Sequence, residues 1–155
     1  MSKERPENEV REILLSYGYI QIGPYNGARQ PVKCKDQDGY IVYPVLYRLY
    51  AGKRPLKFCH SNPDTIANIK HYIKINNINV ELCSEEFIGA TSKLMFRCSC
   101  GKLFEVSWDN FYSKKKHCCN DCSVYRSNYV PFDKVVFLLK EKGIENVRVI
   151  QTGCF

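Results

Sequence analysis

The sequence predicts an α+β protein built from tandem small modules, each a helix, a short antiparallel sheet and a second short helix. Three observations predict it. Three amphipathic stripes each lead into a brief alternating segment. Two pairs of cysteines bracket a single hairpin. The chain also repeats itself at a period of about 60 residues.

The first stripe lies in NEVREILLSYGY, where Val10, Ile13, Leu14 and Tyr17 recur at the spacing of one helical face. The second lies in PDTIANIKHYIKINN, where Ile66, Ile69 and Ile73 follow the start signal Asn62-Pro63-Asp64. The third lies in PFDKVVFLLKEKG, where Phe132, Val135, Val136 and Leu139 repeat the pattern and Gly143 is placed to end the helix. Each stripe runs into a short strand signal: Tyr19 to Ile22, Asn79 to Leu82, and Asn146 to Val149.

The segments after the first two strands are also alike. Letter matching lays Cys34 against Cys98, and Asp38-Gly39 against Cys100-Gly101 after a two-residue insertion. Leu46 and Leu49 match Trp108 and Phe111, and a basic stretch precedes both Cys59 and Cys119. The expected units are residues 1–60, 61–126 and 127–155, the last stopping soon after its first strand. Ser107 is placed to cap a short helix that carries Trp108 and Phe111 on one face. Two aromatics at that spacing read as packing beneath a knuckle rather than as a surface for stacking bases.

Composition sets the outer bounds. The chain has 155 residues, is 45% hydrophobic and 13% aromatic, and is expected to fold. The opening MSKERPENEV lacks an apolar signal core and no run reaches membrane-spanning length, so a cytoplasmic protein is expected. In that compartment nine cysteines point to metal rather than to disulfides. A net charge of +7 and a pI near 8.9 favour a polyanionic partner.

Cys98-x-Cys100-Gly101 and Cys119-x-x-Cys122 have the pattern of a structural zinc site. Four thiolates, two from a hairpin tip and two from a second knuckle, clamp a unit too small to bury an adequate core. The usual pair spacing selects Cys119 and Cys122 over Cys118, with His117 as a competing ligand. The first copy keeps Cys34 and Cys59 but has Asp36 and Asn62 two and three residues later. That predicts a degenerate unit without metal, whose cysteines behave as small apolar residues, with a mixed Cys/Asp site as the alternative. Cys83 and Cys154 have no partner in the sequence.

Basic residues recur at equivalent places: Lys53, Arg54 and Lys57 in the first copy, and Lys114, Lys115 and Lys116 in the second, with Arg48 and Arg97 near by. The recurrence favours contact with a phosphate backbone. The three histidines, His60, His71 and His117, are scattered and form no catalytic constellation with acidic residues.

The run from Ser61 to Ser123 resembles the repeated zinc-ribbon-like module of phage and bacterial homing endonucleases and their relatives. The likeness rests on Lys93-Leu94-x-Phe96-x-Cys98, then Cys100-Gly101-x-x-Phe104-x-x-x-Trp108-x-x-Phe111, then Cys119-x-x-Cys122. It extends more loosely over residues 7–155, where DGYIVYPVLYRLYAGKRPLKF resembles the metal-free module that precedes it. The resemblance implies sequence-recognising DNA-binding repeats attached to a nuclease, with zinc held by Cys98, Cys100, Cys119 and Cys122. No His-Asn-His or GIY-YIG pattern is present to carry the nuclease over. The expected function is therefore a non-catalytic, zinc-stabilised protein that binds nucleic acid, with duplex DNA as the expected target. Two alternatives stand beside it. One is a repurposed phage inhibitor that grips a host nucleic-acid-handling protein or ribonucleoprotein, including a CRISPR effector, in the host bacterial cytoplasm. The other is a fragment of a metal-dependent homing endonuclease.

Overall fold

The computed structural model describes residues 5–127, together with Phe137, Leu139 and residues 141–143. The expected third unit, with its strand at Asn146 to Val149, lies outside the described residues except for those five positions and Ser127. What is described is mixed α and β, with two three-stranded antiparallel sheets and five short helices.

Helix α1 (Glu7–Ser16) forms where the first stripe lies, and it buries Val10 and Leu14. The positive φ of Gly18 (+85°) turns the chain out of it. Strands β1 (Ile20–Gln21), β2 (Cys34–Lys35) and β3 (Ile41–Val42) then pair in that order. Helix α2 (Leu46–Tyr50) closes the unit and buries Leu46 and Leu49 against Val10, Leu14, Val32 and Val42. At the entry to β1 the buried ring is Tyr19, while Ile20 and Ile22 face solvent.

The second unit repeats the order. Helix α3 (Thr65–Ile75) leads to β4 (Val80–Leu82), β5 (Lys93–Cys98) and β6 (Leu103–Ser107), then to α4 (Trp108–Tyr112) and α5 (Asn120–Ser127). The hydroxyl of Ser107 caps α4 by accepting from the Asn110 amide. Phe96 and Phe111 stack with ring centroids 4.4 Å apart at the centre of its core. Trp108 is 4% exposed and its ring centroid lies 4.6 Å from that of Phe58, so it is a core residue as its spacing suggested.

Strand register corrects the letter matching. Cys34 lies opposite Val42, and its counterpart is Phe96, which lies opposite Phe104. Lys35 opposite Ile41 likewise matches Arg97 opposite Leu103. No insertion is then needed, and Asp36 and Asp38 stand where Cys98 and Cys100 stand. The turns agree. The Asp36 carbonyl accepts from Gly39 and its amide donates to Tyr40, as Cys98 accepts from Gly101 and donates to Lys102. Both turns require a positive φ, +88° at Gly39 and +87° at Gly101, which glycine supplies without strain. Cys34 is a core residue, and burial pushes its thiol up to about 12.

Counting on from the matched helices without gaps places Lys57 at the position of Cys119. Its ammonium sits 2.9 Å from Asp36 and 3.0 Å from Asp38, and 4.4 Å above the Tyr40 ring. The first unit is thus drawn together at the same place by an ammonium between two carboxylates. Partial burial opposes the charge on Lys57, but the bonds to Asp36 and Asp38 outweigh it and raise the pKa. A raised folded value means this stability is complete below the ordinary lysine value of about 10.4 and fades as pH rises through the folded one. Lys57→Ala is expected to cost about 2 kcal/mol, between exposed and buried pairs. It should also remove that alkaline loss in denaturation curves taken across pH.

The two units share one interface. Asn68 of α3 is 1% exposed and satisfies the open edge of β3. Its Oδ1 accepts from the Ile41 amide at 2.8 Å, and its Nδ2 donates to the carbonyls of Ile41 and Lys57, each at 2.7 Å. Asn62 donates to the same Ile41 carbonyl and fixes the turn into α3. Lys33 and Tyr43 of the first unit both bind the Asp64 carboxylate at the start of α3. Tyr40 and Phe58 insert into the aromatic core of the second unit.

Candidate metal centre and cationic groove

The β5–β6 hairpin presents Cys98 at the end of a strand and Cys100 in the turn. Cys119 precedes α5, and Cys122 lies in its first turn. Their four sulfurs all lie within 4.8 Å of one another. Cys98 and Cys122 are 3.9 Å apart, and Cys100 and Cys119 are 3.6 Å apart. Four metal–thiolate bonds of about 2.3 Å in a tetrahedron separate the sulfurs by about 3.8 Å, so the donor set fits a four-coordinate ion. Among the described residues this is the only such group of three or more Cys, His, Asp or Glu side chains.

The surroundings favour thiolate. Burial pushes the Cys98 thiol up, but the amides of Cys100 and Cys119 and the thiols of Cys100 and Cys122 bring it down to about 6. The start of α5 adds the positive end of a helix dipole beside Cys119 and Cys122. An ion pair between Lys102 and Asp121 ties the hairpin turn to the same helix. Cys118 is buried beside the cluster but outside it, and His117 bonds the Phe111 carbonyl instead.

The basic residues divide. Arg48, Lys53 and Arg54 line one groove of about 610 Å³, formed mostly by the first unit and closed by Ser61 to Pro63, and Arg29 joins them. No carboxylate lines that groove, and none of the four cations has an ion pair among the described residues. Arg48 donates to the Tyr47 hydroxyl at 3.2 Å. That bond, then the charges of Arg48, Lys53 and Arg29, hold the phenol below its ordinary pKa.

The remaining expected residues do not join them. Lys57 is engaged with Asp36 and Asp38. Lys115 donates to the Tyr72 hydroxyl at 3.0 Å and lies 5.0 Å over the Tyr112 ring. Lys114 and Lys116 are exposed on the second unit and do not line the groove. Arg29 has no signal in the sequence, because one cation in a Gly/Pro loop carries no pattern. The loop reaches α2 through the bond from the Tyr47 amide to the Ala28 carbonyl. No family model, no curated protein and no solved structure matches the chain.

Proposed function

We propose that the chain is a non-catalytic nucleic-acid-binding protein whose second unit is held by one structural zinc ion. The observation that carries the binding reading is the groove of Arg29, Arg48 and Lys53 without a carboxylate, with Arg54 at its edge and bonded to Tyr19. Cations left unneutralised in a concave site favour a run of phosphates, whose binding releases counterions along the strand. The resemblance to the DNA-binding modules of homing endonucleases supports the same reading. Zinc is the choice for the ion because tetrahedral thiolate sites suit it, and because it needs no redox partner to serve as a clamp. Its chemistry here is structural: it would clamp the tip of the β5–β6 hairpin to α5 at the end of the unit away from the aromatic core.

The test is a gel-shift titration of labelled single-stranded and duplex oligonucleotides over a range of salt. Binding at low salt that weakens steeply as salt rises is expected. Absence of binding at low ionic strength to either probe would end this reading. Capture of a host protein that survives nuclease treatment, with no shift of either probe, would move the groove to the inhibitor alternative.

A further inference from the structure

The groove holds more than phosphate-type charge. Tyr47 is 48% exposed and Leu56 is 67% exposed, and both line the same walls as the four cations. A duplex keeps its base faces inside the stack and offers phosphates outward, so contact with a duplex backbone needs cations alone. An aromatic ring half in solvent, among cations without carboxylate partners, suits a different ligand: a strand with a base turned out.

The ring has contacts at both ends. Its backbone amide is bonded to Ala28, its hydroxyl accepts from Arg48, and the Arg48 guanidinium carbon lies 5.9 Å from the ring centroid. A ring with a guanidinium beside it and phosphate-binding side chains around it is the arrangement used where bases stack on single-strand binders. The groove volume of about 610 Å³ lies in the range of sites for nucleotide-sized ligands. The second unit does not carry the pair at the matched place. The matched positions there are Asp109 and Asn110, and the neighbouring Trp108 is buried.

We infer that Tyr47 is a stacking platform for an unpaired base of a nucleic-acid strand held by Arg29, Arg48 and Lys53. The inference rests on the nucleic-acid reading above and narrows its target from an intact duplex to a strand with at least one unstacked base. It also divides the labour: the unit without metal grips the ligand, and the unit with the cysteines supports it.

Fluorescence anisotropy with a short labelled oligothymidylate, and competition by inorganic polyphosphate, separate stacking from charge. Tyr47→Ala should weaken oligothymidylate binding roughly tenfold or more, while polyphosphate binding stays within about twofold. Tyr47→Leu, which keeps apolar bulk on the helix without a π face, should weaken it similarly. Tyr47→Trp and Tyr47→Phe should retain it. Equal loss for both ligands, or no loss for oligothymidylate, overturns the inference and leaves the nucleic-acid reading in place. If the wild-type chain binds neither ligand, both readings fall.

Discussion

Cys119→Ser, or treatment with a strong chelator that strips the proposed zinc ion, is expected to unfold the second sheet and the helices around it. The four sulfurs join the β5–β6 hairpin to α5, and the small packed cluster of Cys98, Cys118, Cys119 and Phe104 cannot replace them. A structural zinc of this kind contributes on the order of 10 kcal/mol, comparable to the whole stability of a small domain. The core of the first unit, around Val10, Leu14, Leu46 and Leu49, is separate and should persist. Scanning calorimetry should therefore show one transition for the metal-loaded chain. With chelator, an early loss of fluorescence signal from Trp108 should precede melting of the first unit. Zinc added back should restore the original trace. Identical melting with and without chelator would remove the metal from the account.

Asn68→Ala should destabilise the chain by about 3 kcal/mol in chemical denaturation, since it removes three hydrogen bonds and leaves a buried backbone amide without a partner. One buried amide satisfies the Ile41 amide and shares the carbonyls of Ile41 and Lys57 with Asn62, so alanine would strand the Ile41 amide and leave the two carbonyls to Asn62 alone. The same change frees the edge of β3 and should weaken the coupling of the two units in melting, leaving it to Asp64, Asn62 and the rings of Tyr40 and Phe58. Asn68→Asp should cost a similar amount, because a carboxylate can accept from Ile41 but repels both carbonyls. A loss under about 1 kcal/mol would mean that water replaces the side chain and that Asn68 does not join the units.

Sequence and structure agree where physics repeats at short range. The stripes of α1 and α3, the capping serine of α4, and the buried pairs Leu46/Leu49 and Trp108/Phe111 follow from local periodicity. The four clustered cysteines were legible too, since a hairpin tip and a knuckle are short-range features. Pairing register was not legible. Matching cysteine to cysteine set Cys34 against Cys98, whereas the ladder sets it against Phe96, because both side chains face a core. The clamp of the first unit was hidden for the same reason, as neither Asp36, Asp38 nor Lys57 resembles a thiol. Charge was legible in amount but not in direction. Lys57 and Lys115 turn onto carboxylates or rings, while Arg29 arrives at the groove from a distant loop.

The most direct test of the central claim is the slope of log Kd against log salt for oligonucleotide binding. It should be measured for the wild-type chain, for an Arg29→Ala/Arg48→Ala/Lys53→Ala variant, and for a Lys114→Ala/Lys116→Ala variant. Each phosphate contact contributes about 0.7 to 0.9 to that slope. The groove variant should lose roughly 2 to 3 of it and most of its affinity, with the second-unit variant changed far less. Equal slopes for the wild-type chain and the groove variant would contradict the account.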